Sequence, residues 1–163
     1  MLFPMANSIL TLFVALEIIS LPLYAMTARA RYRRLLSQEA ALKYFVLGAF
    51  ASGFMLMGMS LLYGYSGSLL LDQLALAIPY QVASPALLLT GAALMMVGLL
   101  FKIGAAPFHA WTPDVYQGAP TPVTGCMAAG VKAAAFLSML RFFSTVVVQV
   151  EGSFKPFLWT VAI

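Results

Sequence analysis

Charged side chains are scarce in this sequence. Lys, Arg, Asp and Glu make up 9% of its 163 residues, 63% are hydrophobic, and the mean hydropathy is +0.96. A soluble globular domain is roughly a quarter charged. Two charge-free runs, 44–71 and 73–101, exceed the roughly 20 residues that span a bilayer as a helix. The scarcity of charge therefore excludes a soluble fold, and several segments are predicted to cross a membrane.

Cysteine and histidine, the usual ligands of zinc, haem and iron–sulfur clusters, are nearly absent. Cys126 is the single cysteine and His109 the single histidine. They offer neither a disulfide within the chain nor a ligand set for such a metal centre. We therefore predict no metal ion and no bound cofactor here, with any redox group carried by another polypeptide. No phosphate-binding loop, nucleophile elbow or paired-carboxylate site supports catalysis of the soluble type.

The net charge of +4 has a local origin. Four of the nine basic residues lie in RARYRR, residues 29–34, between two apolar segments. On a soluble protein such a cluster would favour nucleic acid binding, but short basic loops between spans stay on the cytoplasmic side. The loop 29–38 is therefore predicted to be cytoplasmic, with the lipid bilayer as a partner and nucleic acid excluded.

The apolar segments predict an all-α fold, a polytopic bundle of transmembrane helices forming one membrane domain over 1–163. Ser37 and Glu39 are typical helix-start residues for the second span. The predicted spans are 4–26, 39–65, 86–111 and 123–150, with the start of another at 154–163. The short last span indicates a fragment of a longer subunit.

The third span contains a predicted break at Gly104 and Pro107. A proline removes a backbone donor and disturbs the carbonyl four residues earlier, here that of Ile103. Because that carbonyl needs a partner in protein or water, we expect the helix to kink or unwind there. Residues 112–122 are predicted to form a proline- and glycine-rich turn, and turn chemistry alone accounts for Asp114.

Three ionisable side chains stand out deep within the predicted spans, where a charge costs at least about 2.5 to 3.5 kcal/mol. They are Glu17, Lys102 and Lys132. The first and third spans run in the same direction and place Glu17 and Lys102 at similar depth. We therefore predict an ion pair between them across the bundle, which is compatible with either a static structural bridge or a functional role.

Lys132 has no acidic partner of its own in this part of the chain. Burial disfavours the charged form of a lysine, so this side chain is expected to gain and lose a proton, as a relay requires. In this hypothesis the Glu17/Lys102 pair opens or closes to change the proton affinity of Lys132. His109 is a candidate for proton transfer to the inner mouth, although a hydrogen-bonded histidine at a helix end is an equally plain interpretation.

Three further features have structural interpretations. Glu39 and Lys43, four residues apart, predict an interfacial salt bridge. Arg141 is predicted to extend toward the outer surface. Small residues in the first half of the fourth span, within 125–135, predict close packing against neighbouring helices.

Three segments carry a resemblance to a known family. FKIGAAPFHAWTPDVYQGAPTPVT, residues 101–124, resembles the central motif of the antiporter-like N subunit of respiratory NADH:quinone oxidoreductase, complex I. Its L and M subunits and the Mrp-type antiporters share the lysine, the Pro-Phe-His-like turn and the Trp-x-Pro-Asp core, whereas VYQGAPTPV is similar to subunit N in particular. LFVALEIISLPLY, residues 12–24, and SQEAALKYFVLGAF, residues 37–50, resemble adjoining parts in the same order.

The resemblance implies one of two inverted repeats, each with a broken helix, and matches Glu17, Lys102 and Lys132 to the family's functional residues. It implies a proton-translocating subunit of the enzyme, without a redox active site of its own. NADH, FMN, iron–sulfur clusters and quinone are then expected in partner subunits, with M-, K- and J-type membrane neighbours in the cell inner (plasma) membrane.

Two other classes stay open. One is an Mrp-type cation/proton antiporter, which works without redox partners, and the other is a membrane scaffold whose buried charges are structural. The stretch VYQG, residues 115–118, speaks against the antiporter.

Overall fold

The computed structural model describes residues 5–29, 34–80 and 83–162, and these residues are mainly helical. Part of the basic loop 29–38 therefore lies outside the described residues. The only pairing of extended backbone among them is an isolated bridge between Ser8 and Leu70. The helices are α1 Ile9–Thr27, α2 Arg34–Ser66, α3 Leu71–Ala77, α4 Pro85–Ile103, α5 Thr112–Gly118, α6 Thr121–Cys126, α7 Lys132–Thr145 and α8 Glu151–Ala162.

Four helical segments are long and apolar enough to cross a membrane. They are α1, α2, α4 and the continuous segment Thr121–Thr145, in which a π-helical turn, Met127–Val131, joins α6 to α7. Large apolar side chains such as Ile18, Phe50 and Leu137 are exposed on their outer faces, as expected of surfaces that meet lipid. The predicted all-α transmembrane bundle is confirmed.

Glycine allows α2 and α4 to pack backbone against backbone. A Cβ at Gly58 would lie 2.7 Å from the carbonyl oxygen of Gly91 and 2.7 Å from the amide nitrogen of Met95. A Cβ at Gly98 would lie 2.9 Å from that of Met55. Close approach of this kind is how membrane helices associate without a hydrophobic driving force, and it brings the helix that carries Lys102 against α2.

The predicted break is present, but its cause differs from the expectation. Gly104 adopts a left-handed conformation, φ +74°, and its N–H donates to the carbonyls of Leu100 and Phe101, which ends α4. Only glycine adopts that conformation readily. Pro107 lies beyond the helix end and disturbs no helical hydrogen bond. The chain therefore leaves the helix at residue 103 and stays non-helical until 112, so of the two predicted alternatives it unwinds and does not kink, and the span ends before 111.

The turn predicted over 112–122 is largely helical, which corrects that expectation. Proline in the first turn of a helix lacks only a donor that would be unpaired anyway, so Pro113 starts α5 without penalty. Gly118 then fits α5 tightly against α2, where a Cβ would clash with Ala40 and lie 2.9 Å from the carbonyl oxygen of Leu36.

Two other expectations are changed by the structure. Ser37 is no helix-start residue, because α2 begins at Arg34 and the Ser37 hydroxyl donates to the carbonyl of Thr27 at 2.5 Å, linking α1 to α2. The predicted close packing of small residues in the fourth span is only partly correct: a Cβ at Gly125 or Gly130 would meet no described atom within 4 Å, whereas Ala135 is buried in the core.

Candidate functional site

Lys102 is held at the meeting point of three helices. It lies in the last turn of α4, where a positive charge is favoured by the helix dipole, and it is 4% exposed. Its Nζ donates to Ser20 Oγ of α1 at 2.8 Å and to Tyr44 Oη of α2 at 3.1 Å. The Ser20 hydroxyl in turn donates to the carbonyl of Leu16, which leaves its oxygen free to accept from the lysine. The ammonium is therefore solvated by neutral hydroxyls.

Glu17 does not pair directly with Lys102, and the predicted ion pair is corrected here. Its carboxylate accepts a hydrogen bond from Ser52 Oγ of α2 at 2.5 Å, and no ion pair within 4.0 Å joins it to the lysine. The predicted similarity of depth is correct, because Lys102 contacts α1 at Ser20, one helical turn beyond Glu17. The hydroxyls of Ser20 and Tyr44 hold the Lys102 ammonium about one helical turn away from the Glu17 carboxylate.

A small cavity lies beside Lys102. It has a volume of about 10 Å³ and a mostly apolar lining, in which Ser20, Ser52, Tyr24 and Lys102 are the polar side chains. Such a volume accommodates about one water molecule when two or more polar partners face it. Ser52, which binds Glu17, and Lys102 therefore line the same small cavity.

Lys132 is placed beside the break in α4. It is half-buried, begins α7 directly after the π-helical turn, and its Nζ lies 5.3 Å from the centroid of the Tyr116 ring. The same Nζ is 3.7 Å from where a Cβ of Gly104 would be. Within the described ranges, no hydrogen bond or ion pair holds this ammonium. The environment is that of a lysine without a fixed partner.

A row of aromatic rings joins the two lysines. Tyr44, which binds Lys102, stacks on Trp111 with centroids 4.9 Å apart, and Trp111 meets the edge of Tyr116 at 6.1 Å. Tyr116 in turn contacts Lys132. Trp111 is 3% exposed, and its indole N–H donates to the carbonyl of Phe101 at 3.0 Å. Sequence reasoning missed this row, because aromatic residues in apolar helices are usually ordinary core residues.

His109 lies on the exposed side of the non-helical segment that follows α4. Its backbone carbonyl accepts a hydrogen bond from the amide of Thr112 at 2.9 Å. The described contacts do not join its imidazole to Lys102 or Lys132, so its part in proton transfer stays a prediction.

Lys43, on α2, forms two ion pairs. The predicted pair with Glu39 is confirmed at 2.7 Å. A second pair, with Asp114 Oδ2 at 2.6 Å, joins α2 to α5. The view that turn chemistry alone accounts for Asp114 is therefore wrong, because this carboxylate is in the first turn of a helix and is bound by a lysine 71 residues away in sequence.

The membrane-segment model of the NADH:quinone oxidoreductase/Mrp antiporter family matches residues 6–163. The chain belongs to this family. It is 59% identical to NADH-quinone oxidoreductase subunit N of Nocardioides sp. (strain ATCC BAA-499 / JS614) over the whole chain, and it spans 31% of that relative's length. The family resemblance seen in the sequence is confirmed.

Two solved structures show the same arrangement of helices. A chain of respiratory complex I from Thermus thermophilus with bound aureothin aligns with a TM-score of 0.75 and 48% identity, over 86% of this chain and 30% of that one. A chain of the membrane-bound sulfane sulfur reductase, an archaeal respiratory membrane complex, aligns with a TM-score of 0.81 and 34% identity, over 96% of this chain and 32% of that one.

Proposed function

We propose that this chain forms part of the proton-translocating membrane subunit of an NADH:quinone oxidoreductase. The observation that carries the proposal is a pair of lysines in consecutive membrane-crossing segments, one bound only by neutral hydroxyls and one without a fixed partner. Charges in such places are expensive and are typical of ion pathways. The similarity to subunit N of Nocardioides supports the same function.

In the proposed mechanism Lys132 carries the proton and Lys102 sets how readily it does so. When Lys102 is hydrogen-bonded to Ser20 and Tyr44, no carboxylate contacts its positive charge. This charge then disfavours protonation of Lys132, because like charges repel strongly in a low-dielectric medium. When Lys102 moves one turn toward Glu17, the charges compensate each other. The shared cavity beside Ser52 is the path for that movement or for a bridging water. Lys132 then takes up a proton more easily.

The remaining parts of the proposal concern the surroundings of the chain. The loop 29–38 faces the cytoplasm, and the exposed His109 exchanges protons between Lys132 and that side. The subunit lies in the plasma membrane beside M-, K- and J-type subunits. NADH, FMN, the iron–sulfur clusters and quinone belong to other subunits of the complex.

The experiment is NADH-driven proton pumping in membrane vesicles that contain the full-length subunit in its assembled complex. Lys132→Ala, Lys102→Ala and Glu17→Ala are each expected to abolish most of the protons moved per NADH oxidised, because each removes a charge that the relay uses. Lys43→Ala is the matched control, since it removes an exposed lysine whose ion pairs lie outside the proposed path. Normal pumping in all three variants would mean that the buried charges are parts of a structural scaffold.

A second candidate is an Mrp-type cation/proton antiporter, which the family's description also covers. Such a protein exchanges sodium or another cation for protons without NADH. Vesicles given a sodium gradient and no NADH distinguish the two functions. Proton movement under these conditions that disappears in the Lys132→Ala variant would favour the antiporter.

A further inference from the structure

Two hydroxyl groups on α5 are buried without a partner. Thr112 Oγ1 and Tyr116 Oη have no hydrogen bond to any described residue. They are four residues apart on one short helix, so they lie on the same face. Burying an unpaired hydroxyl is unfavourable. Because both oxygens are covered by atoms of this chain, their partner is either a neighbouring side chain or a buried water molecule.

The ammonium of Lys132 lies close to both groups. A Cβ at Gly104 would be 2.8 Å from Thr112 Oγ1 and 3.7 Å from Lys132 Nζ, so these two atoms are no farther apart than the sum of those distances. Gly104 has no side chain, so nothing of its own fills the space between them. On the other side, Lys132 Nζ lies over the face of the Tyr116 ring, whose edge carries the second hydroxyl.

Donors and acceptors also match. An ammonium carries three N–H donors and no acceptor, whereas a hydroxyl oxygen accepts with its lone pairs. Lys132 has no hydrogen-bond partner among the described residues, and the two oxygens beside it have none either. Its stem of four carbons is flexible, so a change of side-chain rotamer moves the nitrogen from the ring face toward the oxygens.

We propose that the hydroxyls of Thr112 and Tyr116 are the acceptors that position the protonated Lys132 side chain. The proposal rests on the proposed role of Lys132 as proton carrier. Lys132 then has two positions, one over the Tyr116 ring and one hydrogen-bonded to the two oxygens. Thr112 and Tyr116 are positioning residues, which act by favouring the protonated form of the lysine.

The test uses the full-length subunit in its assembled complex and measures protons moved per NADH oxidised. Thr112→Val removes the hydroxyl with little change of shape, and Tyr116→Phe removes the other. Each is expected to lower pumping roughly tenfold, about the effect of one hydrogen bond to a charged group on an equilibrium. Thr112→Ser keeps a hydroxyl and is expected to restore pumping. Thr145→Val is the matched control, because that hydroxyl donates to the carbonyl of Arg141 and does not contact Thr112, Tyr116 or Lys132.

Each outcome separates the positioning role from the proposed function. If Thr112→Val and Tyr116→Phe pump normally while Lys132→Ala does not, the positioning role is wrong and the relay stands. If Lys132→Ala pumps normally, the proposed function itself fails. If Thr112→Ser pumps as poorly as Thr112→Val, shape matters and the hydroxyl does not, which also overturns the inference. Should the Thr112→Val subunit fail to assemble, Tyr116→Phe tests the same ammonium contact.

Discussion

At the scale of single residues, the two lysines differ in what surrounds them. Lys102 is buried and bound by two hydroxyls from two other helices, so its ammonium has a defined position. Lys132 is half-buried, contacts the face of Tyr116 and lies beside the space left by Gly104. A hydrogen bond to a buried charge is stronger than one between neutral groups. The hydroxyls around Lys102 therefore contribute to the stability of the bundle.

Removing the Tyr44 hydroxyl tests this contribution. Tyr44→Phe leaves the ring stack intact but deprives the buried ammonium of an acceptor, which is expected to destabilise the subunit by about 1 to 3 kcal/mol. In a Lys102→Met background the same substitution is expected to cost less, because the charge is gone. Thermal unfolding of the four variants in detergent measures this coupling. An equal effect of Tyr44→Phe in both backgrounds would show that the hydroxyl stabilises something other than Lys102.

At the scale of helices, α4 is positioned by glycine at both its side and its end. Gly58 and Gly91 bring its backbone against α2, and Gly104 ends it in a left-handed conformation. The first contact fixes the height of Lys102 relative to Tyr44, and the second opens the space beside Lys132. Small residues therefore determine where the two lysines lie.

Two glycines of α2 offer a matched comparison. Gly58→Ala places a Cβ 2.7 Å from backbone atoms of α4, which cannot rotate away, and overpacking of this kind typically costs about 1 to 3 kcal/mol. Gly53→Ala is the control, because a Cβ there meets no described atom within 4 Å and alanine is the better helix former. Thermal unfolding is expected to occur at lower temperature for Gly58→Ala only. Equal unfolding temperatures would mean that the two helices separate easily at this contact.

At the scale of the whole molecule, exposed contacts between polar side chains lie at the two ends of the bundle, whereas the contacts of Lys102 and Glu17 lie within its mostly apolar interior. One end carries Lys43 with its two carboxylates. At the other end Asn7 donates to Asp72 and accepts from Arg141. The outward direction of that arginine stays a prediction. Between the ends the buried side chains are mostly hydrophobic. This distribution is what a bilayer with two aqueous faces requires.

The two ends are expected to face opposite sides of the membrane. Gln38→Cys and Gln73→Cys each place a thiol at an exposed position. Residue 38 lies near the start of α2, and residue 73 lies in α3, which follows the other end of α2. In a full-length subunit otherwise free of cysteine, a membrane-impermeant maleimide should label residue 38 from the cytoplasmic side and residue 73 from the opposite side. Labelling of both from the same side would contradict the assigned topology.

Four features could be predicted from the sequence alone: the all-α class, the four membrane-crossing segments, the break near residue 104, and the conspicuous positions of Glu17, Lys102 and Lys132 deep within spans. These features are local, because a bilayer demands a minimum length of apolar chain and makes each charge within it conspicuous. The Glu39–Lys43 pair was predictable for the same reason, since its partners are one helical turn apart. The family resemblance added the expected roles of these residues.

Which side chains contact each other follows from the folded arrangement of the helices and could not be predicted. Lys102 binds Ser20 and Tyr44, which are 82 and 58 residues away in sequence, and does not pair with the opposite charge of Glu17, which lies at a similar depth. The helix α5 owes its place to the fit of Gly118 against α2, which local turn signals do not reveal. Hydrogen-bond partners across a bundle depend on how helices are rotated and how closely they approach, and these depend on packing between segments distant in sequence.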